Sequence, residues 1–224
     1  FQLAIQSPEG IPTDGIVRIK GTQSSWGVLD EPTLKALSFW NPEHYLNIWV
    51  CNLSGALGYA QFPETDVLGV PQNSSTTNAL TDGVVVDYQA FGDTDNVNAP
   101  FDKGRTATHE VGHYLGLLHI SGDDFCPTDD FCTDTPPVND QTRGCPSPIP
   151  LACDGSVAQI ENYMDYTDDR CMNMFTQQQK TRMRTVLANS PRRKTLKDSP
   201  GLQAVVLVPN NAGIVSITQV QNSS

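Results

Sequence analysis

The sequence predicts an α+β fold: strands first, then a helix carrying a metal-binding motif, then a loop-rich, cysteine-bearing half closed by one more helix. Three observations lead there. Short apolar and β-branched runs at 45–51, 57–63 and 82–88 all lie before residue 104. The stretch His109-Glu110-Val111-Gly112-His113-Tyr114-Leu115-Gly116-Leu117-Leu118-His119 sets histidines at metal-ligand spacing on a helix that must end within it. Beyond it, residues 121–156 hold Asp, Gly, Pro and Cys with little periodicity, and only 176–189 again reads as a confident helix.

Taken in order, residues 1–6 alternate and predict a strand, 7–15 carry Pro and Gly and predict a turn, and 15–20 predict a second strand. Residues 31–35 can open a short helix. Residues 45–51 predict a buried strand. Leu57, Gly58, Tyr59 and Ala60 begin another, stopped by Pro63, whose proline and polar flanks suit a sheet edge. Residues 64–82 read as a long loop and 82–88 as a further strand. Gly104 or Thr106 opens the motif helix, which runs to about Leu115. Thr176 can cap the last helix, with Gln179 at the capping-box position and Met183 and Leu187 on its apolar stripe. Residues 190–200 are basic and contain proline, as a linker does, and 203–208 and 213–219 read as isolated strands beyond it.

Composition narrows the function. The chain has 224 residues, enough for one sizeable domain or two small lobes. Its net charge of −11 argues against nucleic acid or an anionic membrane surface as partner. No apolar run approaches the ~20 residues that span a bilayer. The chain opens on Phe1 with no initiating Met and no signal peptide, as a processed or trimmed mature form would. The six cysteines, five of them between Cys126 and Cys171, suit disulfides in an exported protein. The alternative, a cysteine-ligated zinc, lacks any C-x-x-C pair. These features together predict a secreted, extracellular monomer.

The motif carries the chemistry. His109 and His113 stand at i and i+4, on one helix face. Six helical steps would turn His119 roughly 240° away, so the helix must stop first. Gly116 accepts the left-handed conformation that ends helices. Three neutral imidazoles leave a position open to water, the catalytic type of zinc site. Glu110, the only carboxylate in the stretch, is placed to take a proton from that water. Three of the chain's four histidines fall here, which chance histidines on a core helix would not do.

Asn162-Tyr163-Met164-Asp165-Tyr166 follows downstream and, beside the H-E-x-x-H-x-x-G-x-x-H motif, resembles the Met-turn of metzincins. Together with 45–53, 57–63, 82–88, Asp134-Thr135-Pro136-Pro137 and Cys171, these stretches resemble the pappalysin family of metzincin zinc metalloproteases, in its ulilysin/mirolysin-like branch, over roughly residues 1–190. The resemblance implies an upper lobe (1–119) with a twisted five-stranded mixed sheet and two helices. It implies a lower lobe (120–200), loop-rich and disulfide-bonded, with the C-terminal helix. Residues 201–224 lie outside it, as a tail or the start of a further β domain. It implies Met164 as an apolar floor under the histidines, Tyr166 as a steadying hydroxyl at the reacting carbonyl, and disulfides Cys126–Cys153 and Cys145–Cys171. Six cysteines allow 15 pairings by residues alone; a third bridge, Cys51–Cys132, is inferred from what is left over. Asp123, Asp124, Asp129, Asp130 and Asp134 crowd twelve residues, which suits one or more structural calcium ions. The family points to Asp130, the Thr133 carbonyl and Thr135 as ligands.

The expected activity is zinc-dependent hydrolysis of peptide bonds, with protein or peptide substrates lying extended along Leu57, Gly58, Tyr59 and Ala60. The family has an acidic residue just before the last cysteine, which favours a basic residue after the scissile bond. Arg170 stands there instead. Pointing into the pocket it would favour acidic residues; turned outward, or paired with Asp168 or Asp169, it would leave the family preference intact. The rival reading is a non-catalytic, zinc- or calcium-stabilised peptide-binding or adhesion module.

Overall fold

The structure, a computed structural model, describes residues 1–94, 96–209 and 215–219. Its main sheet has strands β1 (Ile48–Cys51), β2 (Gly58–Ala60) and β3 (Val84–Asp87) in the order β1-β3-β2. β1 runs parallel to β3, pairing Ile48 with Val84 and Cys51 with Asp87; β2 runs antiparallel, pairing Gly58 with Val86 and Ala60 with Val84. Val84, Val85 and Val86 are completely buried, because β3 is central and both its faces are covered. Val84 and Val86 pack with Tyr114 and Leu115; Val85 packs with Trp26, Leu34, Trp49 and Leu53.

The five-stranded expectation is corrected to three strands among the described residues. A fourth segment meets the sheet only as the single bridge Trp26–Leu53, and the expected strands at 1–6 and 15–20 are absent, leaving one bridge between Gln6 and Pro12. The cause is the lack of a surface to cover them: Phe1, Leu3, Ile5, Ile11, Ile16, Val17 and Ile19 are all exposed. Alternation without a face to bury against does not make a strand.

Helix α1 (Glu31–Ala36) forms as expected, with Pro32 in its first turn. It buries Lys35 completely. That ammonium donates to Glu31 at 2.7 Å and to the Thr81 carbonyl at 2.6 Å, and stands over the rings of Trp49 and Tyr59. α2 (Ser74–Thr77) is one turn in the long loop. α3 (Arg105–Tyr114) is the motif helix and packs on β2 and β3.

After α3 the chain is mostly loop. The two-residue strands β4 (Arg143–Gly144) and β5 (Tyr166–Thr167) pair in parallel, and a small core gathers Leu117, Ile120, Val138, Ala152, Ala158 and Met164. Disulfides Cys126–Cys153 and Cys145–Cys171 tie this region, each contributing about 3–4 kcal/mol in the chain-entropy account. The third bridge is corrected: Cys51 and Cys132 are free thiols. Cys51, at the end of β1, packs against the Trp26 and Trp49 cluster, whereas Cys132 is buried beside Asp130 in the loop after His119. Burial first, then nearby carboxylates, pushes their thiols up to about 11 and about 12 respectively.

α4 (Gln177–Asn189) starts at the expected capping box, Thr176 with Gln179. The expected linker after it is a correction. Arg192 and Arg193 are buried on Asp82: Arg193 holds both its carboxylate oxygens, at 2.7 and 2.8 Å, and Arg192 Nε donates to it at 2.6 Å. Buried guanidinium groups require a matched carboxylate, and the loop before β3 supplies it. Gly201 is buried, and its carbonyl accepts from Ile5 and Gln6. The last two strands, β6 (Val205–Pro209) and β7 (Val215–Gln219), pair antiparallel with each other instead of standing isolated. Residues 210–214 and 220–224, including the expected strand start at Gly213, lie outside the described residues.

Candidate active site

α3 carries His109 and His113 on one face, both buried. Its two ends are finished from far along the chain. At the N-terminus the Asp169 carboxylate accepts from the amides of Lys103 and Arg105. At the C-terminus Arg193 Nε donates to the Tyr114 carbonyl and Arg182 Nε to the Gly116 carbonyl. Negative charge at the start and positive at the end both complement the helix dipole. The helix stops because Gly116 adopts φ +85, and the chain returns through Leu117, whose amide donates to the Gly112 carbonyl.

That return delivers the third histidine. The Nε2 atoms of His109, His113 and His119 lie 3.0–3.2 Å apart. Each Nδ1 faces an acceptor: the Tyr163 carbonyl at 2.7 Å, the Leu117 carbonyl at 2.8 Å, and Asp123 Oδ1 at 2.5 Å. With the Nδ1 atoms directed outward to these acceptors, the three Nε2 atoms converge. Lone pairs that close repel unless a cation joins them. Zinc at 2.0–2.1 Å from tetrahedral nitrogens requires edges of about 3.3–3.4 Å; the triangle is a few tenths of an ångström tighter, so the donor set fits with a small outward shift of the rings. Burial, helped by the neighbouring histidines, pulls His109 well down and His113 to about 3, which keeps both neutral as ligands must be.

Glu110 is the buried carboxylate on α3. Its Oε2 has no hydrogen-bond partner, and burial pushes its carboxyl up to about 8. It stands against Gly58 of β2. Met164 is completely buried under α3, its sulfur so close to Gly112 that a β-carbon there would lie 2.5 Å from it. The turn is held by Asn162, whose side-chain oxygen accepts from the Met164 amide and whose side-chain nitrogen donates to Gln179 of α4. Tyr166 stands beside the triad, edge-on to the His119 ring with centroids 4.8 Å apart and 5.7 Å from the centroid of the His109 ring. Arg143 stands over the Tyr166 ring at 5.4 Å.

Among the described residues β2 pairs only with β3, which makes it an edge strand; the Leu57 carbonyl accepts from the Asp87 amide on the β3 side. Asp130 is buried and accepts from the Cys132 amide and the Thr135 hydroxyl; burial pushes it up to about 6. Asp134 Oδ1, next to Thr133, is buried without a partner. Arg170 is exposed and pairs with Asp168 at 3.4 Å. Sequence reasoning missed two things. Asp123, read only as one of an acidic crowd, is the partner of His119, and its position four residues past that histidine was the available signal. Asp169, Arg182 and Arg193 at the ends of α3 gave no local signal.

A family model described as pregnancy-associated plasma protein-A, Peptidase M43, matches residues 33–188. An extracellular metalloprotease of Arthroderma otae is 37% identical over 182 residues, which are 79% of this chain and 63% of the relative. Extracellular metalloprotease 1 of Coccidioides posadasii is 40% identical over 139 residues, 62% of this chain and 48% of the relative. The chain thus spans between 48% and 63% of the length of these two relatives. Mature mirolysin of Tannerella forsythia, solved in complex with a cleaved peptide, superposes with a TM-score of 0.77 at 41% identity, covering 88% of this chain and 73% of that one.

Proposed function

The chain belongs to the pappalysin family, Peptidase M43, with a metzincin fold, and from that premise we propose that it is an extracellular zinc-dependent endopeptidase. The observation that carries the reading is the convergence of three imidazole Nε2 atoms beside a buried carboxylate whose Oε2 has no hydrogen-bond partner. Zinc held by His109, His113 and His119 would supply a Lewis acid that brings the pKa of a water towards ~7. Glu110 accepts the proton of the attacking water and delivers it to the leaving amine. Its burial favours the protonated form and so eases the delivery. The Tyr166 hydroxyl donates to the oxyanion as it forms. The substrate lies extended and pairs its backbone with the free edge of β2.

The homologues' names as extracellular metalloproteases support secretion and a peptide substrate. The pairing of Arg170 with Asp168 supports the outward reading of that residue, in which a preference for a basic residue after the scissile bond survives. An exposed pair is screened and repels a substrate arginine weakly. A peptide library sinks this if Asp or Glu dominates after the cut and Arg170→Ala abolishes that preference.

A structural calcium at Asp130, Thr133 and Thr135 belongs to the same proposal. A buried carboxylate disfavoured by its surroundings, together with the unpartnered Oδ1 of Asp134, suits a hard cation. Calcium removal should lower Tm by about 5–10 °C, and an unchanged Tm overturns the site. For the activity itself, casein digestion should stop when zinc is stripped by a chelator and return on adding zinc. Folded, zinc-loaded protein that does not cut casein would leave the peptide-binding reading standing.

A further inference from the structure

Gly58 is a glycine for reasons of space. Its backbone is ordinary strand, with no positive φ to demand glycine. A β-carbon there would lie 2.8 Å from Glu110 Cγ, 3.0 Å from Glu110 Oε1 and 2.9 Å from the Val85 carbonyl oxygen. Glu110 is 6% exposed, and its Oε2 has no hydrogen-bond partner. No polar contact holds that oxygen, so packing decides where the carboxylate stands. Gly58 and Ala60 pair with Val86 and Val84, the two valines whose side chains face α3, so the small residues of β2 are the ones turned to the helix.

We propose that Gly58 is a positioning residue: the missing side chain on the edge strand is the seat that sets where the Glu110 carboxylate stands. The inference rests on the hydrolytic reading of the site. It gives one strand two tasks. The free edge of β2 aligns the substrate backbone while its α3-facing side backs the general base, so base and scissile bond share one reference.

The test is a cycle of Gly58→Ala, Glu110→Asp and the double variant, read by steady-state kinetics, zinc content and melting. Gly58→Ala should cut kcat about 100-fold, the cost of a misplacement of about 1 Å. KM should stay within about threefold and zinc content should not change. In the Glu110→Asp background the carboxyl is withdrawn by one methylene, which leaves room for the added methyl. There the same substitution should cost less than about threefold. A raised KM at unchanged kcat, or an equal fractional loss in both backgrounds, overturns the proposal and returns Gly58 to a substrate-strand or sheet role. Should Gly58→Ala fail to fold, recovery of a cooperative melt in the double variant supports the seat. Failure there too assigns the clash to the Val85 carbonyl and overturns it. Should the parent protein itself show no zinc-dependent hydrolysis, the hydrolytic reading falls. The seat then stands or falls on whether Gly58→Ala lowers Tm more in the parent than beside Glu110→Asp.

Discussion

Helix α3 and the first twenty residues both present apolar side chains at regular spacing, and the molecule treats them in opposite ways. α3 is covered by Val84, Val86 and Met164, and its ends are finished by Asp169, Arg182 and Arg193. The segment 1–20 has Gln6 buried and two amides held by the Gly201 carbonyl, while Ile16, Val17 and Ile19 stand in solvent. Periodicity supplies a face. Only a partner surface turns that face into an element.

The largest expected effect leaves the supports of α3 untouched. Glu110→Gln should retain zinc, by metal analysis, and lose peptide turnover by up to about 10⁴-fold, the upper range for a general base. Near-normal turnover would end the assignment. Breaking a support comes next. Asp82→Ala strands two buried guanidinium groups, Arg192 and Arg193, and should cost about 3–5 kcal/mol in urea unfolding; a loss under about 1 kcal/mol would mean the clasp is ornamental. Asp123→Asn weakens the hold on His119 and should reduce zinc affinity about 10–100-fold in a chelator competition, with Asp124→Asn as the silent comparison. The smallest effect sharpens the contrast from the other side. Ile16→Ser and Val17→Ser should each change stability by less than about 0.5 kcal/mol, and a larger loss would show a packed surface where exposed side chains stand.

The legible parts were those with a local period. His109, His113, the stop at Gly116 and His119 lie within eleven residues, and helix geometry alone predicts that they meet. The capping box at Thr176 was legible for the same reason. Arg192 and Arg193 were not, because a basic run is ordinarily solvated and their partner Asp82 is 110 and 111 residues away. Asp123 was hidden among four other aspartates, since spacing within a loop does not say which carboxylate turns to a histidine. Cys51 and Cys132 show the limit of arithmetic: being left over is not being adjacent.

The finishing of α3 also has a meaning in time. The chain is made from its N-terminus, and the ligand-bearing turns are out of the ribosome long before the residues that complete them. Asp169 reaches back 64 and 66 positions, and Arg193 reaches back 79 to the Tyr114 carbonyl. A nascent chain short of residue 169 therefore has its histidines but neither the anion nor the cations that finish their helix, and one short of residue 193 still lacks Arg193. The histidine cluster is thus completed late along the chain, and a product truncated before residue 169 carries the three histidines without the contacts that finish their helix.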